Sequence, residues 1–319
     1  MKKIVSIVLC LTLALTLVAC GGASAGKMTM GTGSTSGTYY AFGGVLGQYI
    51  KNYAGIDVTP VSTDGSKANI LGIAAGDYQL ATVQSDVMAY AWEGTRSFET
   101  DGKVDSFRVV AGLYAEAVQL VTMDPEIKSV ADLKGKAVSI GAPNSGVYFN
   151  AVDVLAAAGL TVEDIDPQYL SFGDSADGLK DGKIDAAFIV AGAPTTAISE
   201  LCATNEAYLV PIDGDVAEKL METSPFYTTY TIPADTYKGQ TEAVTTVTVK
   251  ATLIVSASAS EEAVYNLTKA IFDNAAAIAS ENGKGAELSI ENATSGMTAP
   301  FHAGAAKYFT EKGATVTTG

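Results

Sequence analysis

The chain has 319 residues, 35 acidic against 20 basic side chains, a formal charge of −15 and a 48% hydrophobic content. A chain this acidic lacks the basic face that nucleic acid requires, and charge alone would not hold it on anionic lipid, so no nucleic-acid partner is expected. The same charge favours a soluble monomer.

The N-terminus reads as a signal. Lys2 and Lys3 precede an apolar run from Ile4 to Val18, about 15 residues, which matches a signal-peptide core and is too short to span a membrane. The run ends in Leu17-Val18-Ala19-Cys20, followed by Gly21 and Gly22, and resembles the lipobox of bacterial lipoproteins. Residues 1–19 are therefore expected to be a signal peptide. Cys20 is expected to carry the lipid, with 20–26 as a flexible tether. This puts the protein outside the cytoplasm, anchored by acyl chains to the outer face of the cytoplasmic membrane. Cys10 leaves with the signal and Cys202 stands alone, so no internal disulfide is expected. Cys202 lies in a helical pattern and reads as a small buried hydrophobe.

Beyond the tether, strand-like and helix-like segments alternate. Short apolar runs predict strands at Met28–Gly31, Tyr78–Val83, Phe107–Leu113, Val118–Thr122, Ala137–Ile140, Asp185–Val190 and Val247–Val255. Helical periodicity covers Tyr40–Tyr53, Lys67–Ala75, Val147–Ala158, Thr195–Leu201 and Glu262–Ile278, with Gly76 and Gly159 as expected stops. Continuous apolar strands alternating with helices predict an α/β fold of mostly parallel sheets covered on both faces.

The alternation is long enough for two such units. Val109–Leu120 is the expected first crossing between them, and the second is expected between Pro225 and Thr248. Domain I then comprises 27–116 and 244–319, and domain II comprises 117–243. Two crossing strands make a hinge with a ligand cleft between the domains.

Ligands in open parallel sheets bind beyond the carboxyl ends of the strands, where loops enter helix N-termini. The first such loop is Gly31-Thr32-Gly33-Ser34-Thr35-Ser36-Gly37-Thr38-Tyr39-Tyr40. Its glycines permit close backbone approach, and its amides and hydroxyls can grip an anion. It matches neither the dinucleotide fingerprint nor a phosphate loop, so no cofactor is expected. The second is Gly141-Ala142-Pro143-Asn144-Ser145-Gly146-Val147-Tyr148, where Asn144 or Ser145 can cap a helix. The third is Ala191-Gly192-Ala193-Pro194-Thr195-Thr196, which a helix start alone can explain. Val83-Gln84-Ser85-Asp86 ends a strand facing the same cleft, with Asp86 read as a helix N-terminal charge.

These loops, with Asp132-Leu133-Lys134-Gly135-Lys136, Asp181–Phe188 and His302–Tyr308, resemble the TAXI branch of TRAP transporter solute receptors across nearly the whole mature chain. The resemblance implies a type II periplasmic-binding-protein fold that closes over one small solute. It implies delivery of that solute, a carboxylate or amino acid such as glutamate, glutamine or 2-oxoglutarate, to the ion-coupled permease subunits of a TRAP transporter. It places the ligand shell on Gly33, Ser34, Thr35, Tyr39, Gln84, Ser85, Asn144, Ser145, Gly146, Val147, Gly192 and Pro194. Two positions depart from the family: Val147 stands where Thr is frequent, and Ala193 where a larger polar residue is frequent. Both bear on which ligand is bound.

The residue inventory narrows the chemistry. Arg96 and Arg108 are the only arginines and neither lies in these loops, so the expected anion grip is amides and hydroxyls rather than a guanidinium clamp. Tyr39, Tyr40 and Tyr148 can wall the cleft. One histidine, His302, cannot build a histidine metal cluster, and no metal is expected. His302 reads as a structural contact, and the one Gly-x-Ser-x-Gly match falls in the tether without a preceding strand. The expected function is a receptor, not an enzyme. A receptor for an ABC importer is the alternative by fold analogy, and a secreted hydrolase or sensor domain is the alternative from another class.

Overall fold

The computed structural model of the protein describes residues 26–319. The expected signal peptide, Cys20 and the tether up to Ala25 lie outside the described residues.

The first segment lays down β1 (Lys27–Gly31), α1 (Thr38–Ala54), β2 (Asp57–Val61), α2 (Ser66–Ala75), β3 (Leu80–Gln84) and α3 (Ser85–Glu93). β3 is buried along its whole length, as in parallel βαβ units covered on both faces, whereas β2 at the sheet edge leaves Asp57, Thr59 and Pro60 at least partly exposed. Helix α2 stops at Gly76, whose φ of 86° turns its N–H back to the Ile73 carbonyl, a conformation only glycine adopts without strain. Gly159 plays the same part after α4 (Gly146–Ala157), with φ 78°.

β4 runs unbroken from Phe107 to Thr122, 16 residues. The sequence pattern predicts two strands here, Phe107–Leu113 and Val118–Thr122, with an interruption at 114–117. Pairing overrides that interruption. Ala115 and Glu116 lie opposite Lys250 and Val249 of β10 (Val244–Ser256) and stay in the ladder. The remaining strands are β5 (Ala137–Ser139), β6 (Asp166–Gln168), β7 (Ala186–Ala191), β8 (Tyr208–Val210) and β9 (Thr228–Ile232). Their order is β2-β1-β3-β10-β4-β7-β5-β6, with β8 on β4 and β9 on β10. β1, β2 and β3 are parallel, as are β5, β6 and β7, but β10 is antiparallel to β3, β4 and β9, and β4 is antiparallel to β7 and β8. The described strands thus form one mixed sheet rather than two separate, mostly parallel ones, because the two long strands belong to both halves. Register shifts in the β10–β4 ladder near Lys250 and Leu253 bend it there.

The remaining helices are α5 (Phe172–Lys180), α6 (Thr196–Thr204), α7 (Gly214–Thr223), α8 (Glu261–Phe272), α9 (Ala275–Glu281), α10 (Ile290–Thr294) and α11 (Ala303–Glu311). The single helix expected over Glu262–Ile278 is two. Between them Asp273 accepts from Tyr308 and Lys312, and Asn274 folds back on the Ala270 carbonyl. Such local competition for backbone groups ends a helix whose apolar pattern continues.

Apolar burial divides along the two long strands. One cluster gathers Phe42, Leu46 and Leu267 with β4 from Phe107 to Tyr114 and β10 from Ala251 to Val255. Two others, one holding Val138 and Val154 and one holding Ile198 and Cys202, take β4 from Ala117 onward and β10 up to Val249. Glu116 and Lys250 fall at the seam. Cys202 is buried as a small hydrophobe. No described helix is long and apolar enough to cross a membrane.

Candidate ligand site

Four helix N-termini and one strand end meet over the seam. The loop from β1 into α1 is held by Thr32, which donates through Oγ1 to the Val61 carbonyl at 2.6 Å, and by Ser62 and Thr63, which hold the Gly33 carbonyl at 2.8 and 3.3 Å. This places Gly33, Ser34 and the first turn of α1 beside the N-terminus of α2. From the other half come the N-termini of α4 and α5. Ser145 caps α4, accepting from the Tyr148 N–H at 3.1 Å and donating to the Ala142 carbonyl at 2.6 Å. Ser171 caps α5, accepting from the Asp174 N–H at 3.3 Å. First-turn amides have no partner inside their own helix, and they point positive dipole ends at the space between.

The halves touch across this space. The Lys67 and Ala68 N–H groups donate to the Asn144 carbonyl at 3.1 and 3.3 Å, the Ala197 N–H to the Ser36 carbonyl at 3.1 Å, and Thr38 Oγ1 to the Gly192 carbonyl at 3.0 Å. Behind them Gln84 Nε2 donates to Asn150 Oδ1 at 2.9 Å, and Asn150 Nδ2 donates to Asp86 Oδ2 at 2.9 Å and to the Tyr227 hydroxyl at 2.8 Å. At the rim Arg96 pairs with Asp153. The two halves are in contact around a partly open cavity of about 80 Å³. At about 10–15 Å³ per water, that space holds about six waters, room for a solute of amino-acid size.

The polar floor of the cavity is Glu116, 1% exposed, with Gln84, 2% exposed, and Tyr39 beside it. Gln84 Nε2 lies 3.4 Å from Glu116 Oε2. Glu116 Oε1, Gln84 Oε1 and the Tyr39 hydroxyl are buried without a hydrogen-bond partner. Burial pushes the Glu116 carboxyl up to about 8, against the lowering pull of Tyr39 and Gln84. Tyr39 is driven up by its own burial and then by the Glu116 charge. Asp86, fully buried one layer back, is raised to about 6, chiefly by desolvation. It is more than the expected helix-end charge, because its carboxylate fixes Asn150.

A model of the NMT1-like family matches residues 30–313. The chain belongs to the NMT1-like family. Its fold is the periplasmic-binding-protein fold, two α/β halves joined by long strands with a cleft between them. A protein of Bordetella bronchiseptica RB50 aligns with a TM-score of 0.54 at 17% identity, covering 89% of this chain and 88% of that one. The alkanesulfonate-binding protein SsuA of Xanthomonas axonopodis pv. citri, bound to MOPS, aligns at 0.50 and 17% identity over 90% of each chain. A putative L-cystine ABC transporter protein of Listeria monocytogenes aligns at 0.50 and 15% identity, over 80% of this chain and 95% of that one.

In this NMT1-like chain, Gly33, Ser34, Tyr39, Gln84, Ser145, Gly146 and Val147 line the cavity. The other five expected ligand residues lie elsewhere. Thr35 and Asn144 are exposed, and Asn144 contributes its carbonyl to the cross-cleft contact. Ser85 accepts from the Lys250 N–H at 3.2 Å. Gly192 and Pro194 belong to a loop locked from beneath by Tyr237 and Gln119, and Pro194 borders a separate groove with Lys284. Sequence reading missed Glu116, Asp64, Ser66, Ser171 and Phe172, all of which line the cavity. Ser171, three residues before Asp174, carries a visible capping signature. Glu116 carries none beyond being a lone carboxylate in an apolar strand.

The remaining candidates have structural partners. His302 Nδ1 accepts from the Gly304 N–H at 3.2 Å, and Nε2 lies 3.0 Å from the Ala259 carbonyl, a neutral capping tautomer. Burial lowers its pKa. Arg108 donates to the Asp105 and Phe107 carbonyls and lies over Trp92, away from the cavity.

Proposed function

We propose that this chain is an extracytoplasmic receptor that captures a small carboxylate or amino acid and delivers it to a membrane permease. The observation that carries the reading is the cavity at the seam of the two long strands, walled by facing helix N-termini from both halves. Domain I at 27–116 and 244–319 and domain II at 117–243 close about β4 and β10, and the ligand bridges them. Binding rather than catalysis is supported by the chemistry of the walls. Ser145 spends its hydroxyl on capping, and His302 is occupied far from the cavity.

The resemblance to TAXI receptors favours a TRAP permease as partner. The likeness to the L-cystine ABC transporter protein of Listeria monocytogenes favours an ABC importer equally. Uptake assays separate them: an ATP-driven importer survives collapse of the ion gradient, and a TRAP permease does not. Anchoring through Cys20 raises the local concentration of loaded receptor at the permease. A Cys20→Ala form should bind ligand normally and support uptake less well, and equal uptake would make the anchor dispensable.

The direct test is a thermal-shift screen of the mature protein against amino acids, dicarboxylates and keto acids. A ligand at 100 times its Kd adds about 2.7 kcal/mol of stability. If no member raises the melting temperature, the proposed ligand class is wrong.

A further inference from the structure

Resting on the receptor reading above, we propose that the floor of the cavity is an ammonium site. Glu116, Gln84 and Tyr39 accept the three N–H bonds of a primary amine on the ligand, and Asp86 and Asn150 act as positioning residues that hold Gln84 with its carbonyl oxygen toward the cavity.

The polarity of this floor follows from a chain of hydrogen bonds. The Asp86 carboxylate accepts from Asn150 Nδ2 at 2.9 Å, which turns Asn150 Oδ1 toward Gln84. Asn150 Oδ1 then accepts from Gln84 Nε2 at 2.9 Å. The Gln84 amide is thereby oriented, and its Oε1 is left as an acceptor without a partner. Glu116 Oε1 and the Tyr39 hydroxyl likewise lack a partner in hydrogen-bond geometry, although they are near enough for each to shift the other's titration, and all three residues line the same cavity. A buried acceptor left unmade is costly, so the site selects a ligand group that supplies several donors at once. An ammonium has three donors and no acceptor. Among the described residues, no lysine, arginine or histidine lines the cavity. Once ionised, Glu116 repels an anionic group placed against it, with no basic side chain on the cavity wall to compensate. The ligand's carboxylate then belongs at the opposite wall, on the amides that open α4 and α5.

The titratable groups facing Glu116 are Tyr39 from α1, Tyr114 from its own strand and Asp86 from α3, with Asp64 elsewhere on the cavity wall. All are acids, so only the ligand can supply the cation. In the empty cavity burial keeps the Glu116 proton on up to about pH 8. Binding an ammonium at pH 7 therefore converts the Glu116 carboxylic acid to carboxylate and releases its proton to the buffer.

The test uses matched sets that differ only at the α-position: L-alanine, L-lactate and pyruvate, and L-glutamate, L-2-hydroxyglutarate and 2-oxoglutarate. Affinities are measured by calorimetry on the mature protein at pH 7, in two buffers of different ionisation enthalpy. The expected result is at least tenfold tighter binding of the amino acid than of its hydroxy and keto counterparts, with net proton release. Equal or tighter binding of a hydroxy or keto acid, or proton uptake, overturns the ammonium site and leaves the receptor reading standing. No binding by any of the six defeats both. Glu116→Gln keeps the shape and leaves a group that stays neutral at every pH in the buried position, so it should fold. It is expected to lose more than tenfold in amine affinity, and unchanged affinity overturns the assignment. Asp86→Asn frees Asn150 and Gln84 to turn over and present donors. The ratio of amino-acid to hydroxy-acid affinity should then fall several-fold, a change that mere loosening of the fold would not produce. An unchanged ratio removes Asp86 as a positioning residue.

Discussion

Replacing Glu116 by Gln should change how stability depends on pH, and the sign follows from burial. In the unfolded chain this carboxyl gives up its proton near its ordinary value of 4.5; in the closed fold it holds the proton up to about 8. Between those values the folded state binds more protons than the unfolded state, so stability falls as pH rises. The contribution is fully present below about pH 4.5 and lost through pH 8. At about 1.4 kcal/mol per pH unit, the loss from pH 5 to pH 8 is at most about 4 kcal/mol. For a chain of this size, that corresponds to about 8 °C in melting temperature. Asp86, raised to about 6 by desolvation, contributes in the same direction at lower pH, so the raw profile mixes the two. The difference between wild type and Glu116→Gln isolates Glu116, because Asp86 titrates in both. The assay is ligand-free thermal unfolding from pH 5 to pH 9. The Gln variant should melt progressively higher than wild type as pH rises toward 8. Parallel profiles would refute the claim that the carboxyl is buried in the ligand-free protein.

Asn150→Ala removes three hydrogen bonds at a fully buried position and leaves Asp86, Gln84 and Tyr227 short of partners. It should cost about 2–4 kcal/mol in denaturant unfolding; a cost below 1 kcal/mol would mean that the network is not formed in solution. Gly146→Ala places a methyl group against the Gln84 amide. It should weaken ligand binding by more than tenfold in calorimetry with a stability loss of about 1–3 kcal/mol, and unchanged affinity would show that Gln84 does not stand at the cavity wall. Arg96→Ala breaks the rim pair with Asp153, which joins the two halves. Partial exposure limits that pair to about 1 kcal/mol, so ligand affinity should fall at most about fivefold, and the difference should shrink in high salt.

Much of the fold is legible in the chain. Segments with strong local signals, such as the apolar stretch at β1 and the glycine-terminated α2, lie where periodicity puts them. The failures come where pairing partners decide. β2 contains Thr59 and Pro60 and is not among the strands the pattern predicts; it is an edge strand held by register with β1, and an edge tolerates proline. β9 is a Thr- and Tyr-rich hairpin partner of β10, with no apolar run to announce it. The continuity of β4 through Glu116 depends on residues of β10 more than a hundred positions later, which no local window contains. In α8 and α9 the apolar pattern continues while Asp273 and its partners from α11 end the first helix.

The site divides along the same line. Backbone-built features were readable, because glycine loops and caps at helix starts follow from local chemistry, and seven of the twelve expected ligand residues line the cavity. Glu116 was not readable, and the reason is physical. A carboxylate in an apolar strand breaks the pattern that identifies the strand, so local reading treats it as a defect. Its meaning depends on three things the sequence does not display: the change of core along β4, the amide orientation imposed by Asp86 and Asn150, and the lack of any basic side chain along the cavity. A buried carboxyl without a counterion is expensive. Folding alone gives no reason to keep one at the seam, where an apolar residue would pair with β10 equally well. A cationic ligand group gives such a reason, since it converts the cost of burying Glu116 into selectivity at the moment of closure.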